Sequence, residues 1–394
     1  MKNLETLIQE LCPDGVEFVK LGDVCEIKTG KGITQKDCSE SSKYPVYSGG
    51  KEPMGYYKEF NRNANTVTVS RVGAYAGFVN YVTEDFYLND KCFSVLPQKD
   101  EDINSKYLYY KLKALECSII NMQSGGGVPT INTKKVGSLE IPLPPIEVQT
   151  EIVRILDKFT SLEAELEAEL DCRKRQYEYY RDKLLSFENV GGQEVEWKKM
   201  SEVGTFIRGK RFVRTDIVEE GVPCIHYGDI YTYYGLTATK AKTYLKPEKA
   251  EKMKFASKND VVIVGAGENN MDIGVGVAWL SDEKVAIHDA CYIFKSKMNP
   301  RFVSHYLRGS NYHLQIKKYV CEGKICSISS KSIGRSLIPV PSLQEQERIA
   351  TILDRFESLT TSLQTGLPAE ITARRQQYEH YRDKLLTFKR KGAA

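Results

Sequence analysis

VVIVGAGENN, at Val261–Asn270, has the form of a nucleotide-binding turn: a β-type run delivering Gly265-Ala266-Gly267. Asn270 stands where a third glycine would be needed. The following IGVGVAWL reads as strand, so the helix N-terminus that would hold a phosphate is missing. The stretch is expected to be a strand-to-loop turn whose Asn269 and Asn270 can face a ligand. His288-Asp289 with Cys291 suggests metal or nucleophile chemistry, but the parallel Asn89-Asp90 with Cys92 has no histidine. Asp90 and Asp289 are therefore expected to be structural turn residues. The five histidines show no metal-ligand spacing, and the ten cysteines are scattered singly without a CxxC pair. Neither pattern predicts zinc, and free, mostly buried thiols in a reducing compartment are the expectation. The only Pro-Pro, Pro144-Pro145, lies between Leu143 and Ile146 rather than in the Asn/Asp-Pro-Pro-aromatic context of an amino-methyltransferase. A G-x-x-x-x-G-K-[ST] phosphate loop is absent from the sequence, so neither motor nor methyl-transfer chemistry is predicted.

What remains is the chemistry of anion and base recognition. Lys28 and Lys31 flank a glycine, and Arg208 and Lys210 are placed as their counterparts in the second half of the chain, with Arg211 and Arg214 extending that cluster. Arg71 opens the glycine-rich SRVGAYAG. Ser124 and Gly126, in SGGG, and Lys324, after Gly323, occupy what read as matching loops. Cations neutralise phosphate, while Arg, Lys, Asn and Ser at loop tips can reach base edges. The overall charge of +4 says little, but its distribution says more. Residues 1–140 hold 17 Lys and Arg against 18 Asp and Glu, whereas residues 195–337 hold 23 against 15. A basic half is what a phosphate-binding domain needs.

The elements that must position these side chains come in duplicate. QYEYYRDKLLSF (Gln176–Phe187) returns as QYEHYRDKLLTF (Gln377–Phe388). Upstream, IPLPPIEVQTEIVRILDKFTSLEAEL (Ile141–Leu166) aligns with IPVPSLQEQERIATILDRFESLTTSL (Ile338–Leu363) at an offset of 197, which becomes 201 at the repeated phrase. Weaker matches join Val16–Lys31 to Val195–Lys210 and Leu88–Val95 to Ile287–Phe294. The plan is A–B–A′–B′. It predicts domains at 1–144 and 189–341, spacer helices at 145–188 and 342–390, and a short tail at 391–394. Leu156, Phe159, Leu162, Leu166, Tyr177, Tyr180 and Leu184 recur at helical spacing, as do Leu353, Phe356, Leu359, Leu363, Tyr378, Tyr381 and Leu385. A helix of this length spans about 60 Å and cannot bury such a stripe alone, so the two copies are expected to pair as an antiparallel coiled coil. Pro368 should interrupt the second. The A segments, with TVTVS, DVVIV, CFSV and CYIF, read as mixed, strand-rich domains. The expected fold class is α+β, with a pseudo-twofold internal repeat.

Antiparallel pairing of like helices would make the chain a dimer fused in one polypeptide, holding two unlike domains. Such a pair suits a bipartite, asymmetric target on duplex DNA, since dimers read half-sites at fixed spacing. A coiled-coil adaptor that binds only proteins is the alternative. The acidic SLEAELEAELD (Ser161–Asp171) repeats LEAE. It is either a solvated helix surface or a ruler, each four-residue unit adding about 6 Å.

ILDKFTSLEAELEAEL with RKRQYEYYRDKLLSF, and ILDRFESL with GLPAEITARRQQYEHYRDKLLTF, closely resemble the two constant regions of specificity subunits of Type I restriction–modification enzymes. LCPDGVEFVKLGDV resembles the start of such subunits, and the LEAE repeat resembles the spacer of the subgroup called Type IC. The resemblance is specific in the B segments and weak in the A segments. It implies target recognition domains similar to the DNA-reading domain of adenine methyltransferases, and a coiled coil that docks two modification subunits. It further implies two motor–nuclease restriction subunits. S-adenosylmethionine, ATP and Mg would belong to those partners, with no catalytic site, metal or cofactor in this chain. Without a membrane-length apolar run or a signal peptide, the expected location is cytoplasmic.

Overall fold

The computed structural model describes residues 4–99, 101–124, 127–187, 195–361 and 366–392. Two compact units result. One combines Met1–Glu167 with Ile371–Ala394, and the other is the continuous segment Ala168–Glu370. Each unit therefore contains one strand-rich domain and part of both long helices.

In the first unit the central sheet is antiparallel. Its strands run in the order Cys25–Thr29, Cys92–Pro97, Thr66–Ser70 and Val79–Val82. The central TVTVS strand is buried along its whole length, which explains its run of β-branched residues. A second sheet joins Tyr56–Tyr57, Tyr44–Tyr47 and Tyr87–Leu88. The helix Ser105–Ala114 buries Tyr107, Leu108, Tyr110 and Leu112.

The second unit repeats the central sheet with Gly204–Arg208, Cys291–Ser296, Val261–Val264 and Gly276–Trp279, then adds Thr237–Ala238 in parallel. Its second sheet has five strands where the first unit has three. VVIV is fully buried, and GVAW pairs back onto it as an antiparallel strand. The helix a phosphate-binding turn would require is absent there.

Each spacer helix leaves its domain the same way. Glu140–Pro142 pairs with Phe18–Lys20, and Leu337–Pro339 pairs with Trp197–Lys199. The prolines that follow end each strand before the helix begins. The first helix is a single rod, Ile146–Ser186. The second is in two pieces, Leu343–Thr361 and Leu367–Leu385, with Pro368 in the first turn of the restart, where its missing N–H costs nothing.

Two glutamines lock the helix starts. Gln149 Nε2 donates to the carbonyls of Pro144 and Asp102 (both 2.8 Å), and its Oε1 accepts from the Asn104 N–H (2.9 Å). Gln346 donates to the Pro341 carbonyl (2.8 Å) and accepts from the Asn299 N–H (2.8 Å). Both side chains are buried. About two turns on, Asp157 accepts from Tyr110 Oη (2.6 Å) and Lys106 Nζ (2.9 Å). Its counterpart Asp354 accepts from Arg301 and from His305 Nε2 (2.7 Å). The helix residues are thus constant between copies, and so are the glutamine partners, whereas Tyr110 of the first domain is replaced by His305 in the second.

The helices pair inside each unit, and in the first the pairing is antiparallel. In the first, Phe159 meets Tyr378 and Tyr381, and Glu163 and Glu167 meet Arg375, so the partner number falls as the helix advances. In the second, Tyr180 meets Phe356. Leu156 and Leu353 are fully buried, and Tyr177, Leu184, Tyr378 and Leu385 pack at the edges of the cores. The deepest leucines of the repeated phrase are Leu185 and Leu386, one position beyond the predicted stripe. Leu166 is half-buried, whereas Leu162 and Leu359 stay 45% and 52% exposed. Leu363 lies outside the described residues.

Candidate nucleic-acid interface

In both units the strand that opens the central sheet runs into a glycine pinned under the turn before the long second strand. Gly30 N–H donates to the Cys92 carbonyl (3.1 Å) and Lys31 N–H to the Leu88 carbonyl (2.9 Å). Gly209 N–H donates to the Cys291 carbonyl (3.0 Å) and Lys210 N–H to the Ile287 carbonyl (2.9 Å). A Cβ would approach the Leu88 oxygen to 2.2 Å at Gly30 and the His288 oxygen to 2.1 Å at Gly209, so only glycine fits. These bonds make Lys31 and Lys210 true equivalents, both exposed. They also correct the expected pairing of Lys28 with Arg208. Counted from the glycine, Arg208 matches Thr29 and Lys28 matches Ile207.

The turn itself is built by two different side chains performing one task. Asn89 Nδ2 donates to the Ile33 carbonyl (2.7 Å), and its Oδ1 accepts from the Lys91 N–H (3.2 Å). His288 Nδ1 accepts from the Ala290 N–H (3.1 Å), and its Nε2 faces the Phe212 carbonyl (3.2 Å). These partners assign the Nε2–H tautomer to His288. Burial holds this imidazole below its ordinary pKa and keeps it neutral. His288 is a structural residue, as the histidine-free parallel at Asn89 implies. The carbonyls of Asp90 and Asp289 in these turns accept Nε of Arg71 (3.2 Å) and Arg208 (2.9 Å) respectively.

A third loop completes each surface. Ser124 bridges to Thr130, which neighbours Val72, and Cys321 bridges to Ser327, which pairs with Ala266. The loops holding Ser124 and Lys324 therefore correspond, and both side chains are exposed. Gly126 lies outside the described residues. Arg211 and Arg214 are exposed on the rim of a cleft of about 370 Å³ whose walls include Phe212, His226, Tyr227 and His288. This aromatic cleft has no motif in the sequence. Asn269 caps a short helical turn by accepting from the Met271 N–H (3.1 Å), and Asn270 donates to Glu322 (2.7 Å). Lys28 lies 3.6 Å from Glu26.

Sequence reasoning passed over Lys51, which lies 5.4 Å above the ring of Tyr75, itself 47% exposed. A cation over an exposed aromatic ring is a common nucleic-acid surface. Among the described residues there is no cluster of three metal-ligating side chains, and no helix is long and apolar enough to cross a membrane.

The family model described as the Type I restriction modification DNA specificity domain matches residues 13–171 and again 193–373. The chain belongs to this family. The two matches fall on the two repeats. The specificity subunit of the type I restriction enzyme EcoR124I/EcoR124II from Escherichia coli is 33% identical, over 98% of this chain and 97% of that one. The specificity subunit S.HindORF215P of Haemophilus influenzae, named as putative, is 28% identical over 98% and 100%. Among solved structures, the S subunit of a type I restriction–modification system from M. genitalium aligns with a TM-score of 0.57 at 17% identity, covering 94% and 96%. A chain from a study of type I complex assembly and conformational transition aligns at 0.61 and 17% identity, covering 95% and 98%. At that identity these structures bear on the fold, which is that of the specificity subunits: two repeated α+β domains with long helices.

Proposed function

We propose that the recognition domains of this type I specificity subunit, residues 1–144 and 189–341, each read one half of a bipartite, asymmetric DNA site. The subunit confers DNA sequence specificity and is not itself catalytic. Catalysis belongs to its partner subunits. The observation that supports the half-site reading most directly is the duplicated loop scaffold dressed with unlike side chains. Backbone hydrogen bonds make Gly30 equivalent to Gly209 and Asn89 to His288, yet Arg208 stands at the position of Thr29 and Arg214 at that of Gln35. One frame presenting two chemistries suits two different half-sites.

On this reading the paired helices fix the gap and dock two modification subunits, and two restriction subunits complete the nuclease. Leu162 and Leu359 hold equivalent positions and remain exposed, which favours a protein partner on the helices. S-adenosylmethionine, ATP and Mg would act in those partners, and the complex would be cytoplasmic.

Methylome sequencing of cells with and without this chain tests the proposal. Loss of a single two-part N6-methyladenine motif on deletion is the expected result. An unchanged methylome in cells that retain active modification subunits would overturn it.

A further inference from the structure

The surface arginines of this chain fall into kinds. Arg173, Arg175, Arg348 and Arg375 pair with carboxylates. Arg62 is spent on the fold, with Nε on Ser94 (2.8 Å), Nη1 on the Asn61 carbonyl (2.7 Å) and Nη2 on the Lys28 carbonyl (3.1 Å). Arg71 and Arg208 do neither. Each donates Nε to one turn carbonyl, and among the described residues neither terminal Nη pair meets a protein acceptor.

The two arginines reach that carbonyl from positions that are not equivalent. Arg71 N–H donates to the Lys91 carbonyl and Gly265 N–H to the Ala290 carbonyl, both at 2.7 Å, so Arg71 corresponds to Gly265. A side chain is impossible at Gly265, where a Cβ would lie 2.3 Å from the Tyr292 ring. Arg208 instead corresponds to Thr29. The Asp90 and Asp289 carbonyls are equivalent, because Cys92 N–H donates to Asn89 and Cys291 N–H to His288 around the same turn. Two unlike halves thus bring a guanidinium to one point of the shared scaffold along different strands.

We propose that Arg71 and Arg208 are matched bidentate readers of DNA, each tethered through Nε so that its two Nη groups form a preset fork. This rests on the reading of the recognition domains given above. A planar guanidinium fork fits two acceptors side by side, either O6 and N7 of guanine or two oxygens of one phosphate. The tether reduces the side-chain freedom lost on binding.

The test uses the subunit assembled with its modification partners. Alanine, lysine and glutamine variants of Arg71 and of Arg208 are assayed on duplexes carrying the native motif and single-base-pair changes, at several salt concentrations. Alanine should weaken cognate binding about tenfold or more. Lysine, which keeps the charge but not the fork, should recover little. If guanine is the acceptor, discrimination is lost at one base pair of one half-site, a different half-site for each arginine. If phosphate is the acceptor, all duplexes weaken together and the logarithmic salt slope falls by about one with the motif intact. Lysine variants equal to wild type in affinity and motif would overturn the proposal, as would silent alanine variants. Glutamine keeps a donor for the turn carbonyl and guards against misfolding. A stably folded glutamine variant with the same loss supports the fork, and one with wild-type binding sinks it. A wild-type complex without motif-dependent binding would instead sink the half-site reading itself.

Discussion

Phe159 stacks on Tyr381 with ring centroids 5.4 Å apart and planes inclined by 24°. The second unit holds the same pair from the opposite copies: Phe356 stacks on Tyr180 at 5.6 Å and 24°. The near-identity of the repeated phrase therefore has a packing cause, since each helix supplies the phenylalanine of one stack and the tyrosine of the other. Tyr381→Ala and Tyr180→Ala should each destabilise their own unit by about 1–3 kcal/mol. Tyrosine to phenylalanine at either position should stay within about 0.5 kcal/mol, because the ring does the packing. Denaturant unfolding of the four variants checks this, and equal losses from alanine and phenylalanine would count against it.

His288 can be exchanged for the residue its twin already uses. His288→Asn should leave stability within about 1 kcal/mol of wild type, because Asn89 makes both equivalent bonds in the first unit. His288→Ala strands the Ala290 N–H and the Phe212 carbonyl and should cost about 1–3 kcal/mol. Both tryptophans, Trp197 and Trp279, lie in the second unit, so fluorescence-detected unfolding reads that unit alone.

If the LEAE repeat is a ruler, the spacer should tolerate change only in steps of four residues. Arg375 contacts Glu163 and Glu167, four residues apart on one helix face. Deleting Glu163-Ala164-Glu165-Leu166 moves Glu167 into the place of Glu163 and shortens the rod by about 6 Å. The methylated motif should keep both half-sites and lose part of its gap. Deleting only two residues turns the following stripe away from its partner and should abolish methylation. A four-residue deletion that altered either half-site would refute the ruler.

Acid should weaken the second unit selectively. Burial holds His226, His288, His305 and His313 below the ordinary imidazole pKa, and all four lie in that unit. At His305 burial outweighs the neighbouring Asp354 carboxylate. The unfolded chain takes up protons near pH 6.5 that the folded unit refuses. Stability is therefore fully present above about pH 6.5 and is lost as pH falls through the depressed folded values. Tryptophan-detected melting between pH 7.5 and 5.5 should show a falling midpoint, and a flat profile would rule this linkage out.

Much of the plan was legible because the chain writes it twice. The duplicated phrase located both spacer helices, Pro368 marked the restart of the second, and the parallel with Asn89 pointed to the turn position that His288 holds. What stayed hidden depends on distant partners. Gln149, Gln346, Asp157 and Asp354 look like surface residues in a helical pattern, yet they meet acceptors and donors some 50 residues away in sequence. Arg208 is the equivalent of Thr29 rather than of Lys28 because the shared backbone hydrogen bonds count from the glycine, whereas likeness of charge pairs the two cations. The aromatic cleft beside Arg211 is assembled from five separate segments of chain and leaves no local signature.

The first unit closes one core with Leu4, Val16, Tyr107, Tyr110, Ile152, Leu156 and Leu386, and Val16 donates its N–H to the Lys389 carbonyl and accepts from the Lys391 N–H. The second unit draws only on a continuous stretch. A ribosome releases every residue the second unit requires before it releases the last ones needed by the first. The sheet core of the first unit, from Leu21 to Ile141, is local to the early chain, so within that one unit two cores are closed by stretches of chain emerging far apart in time.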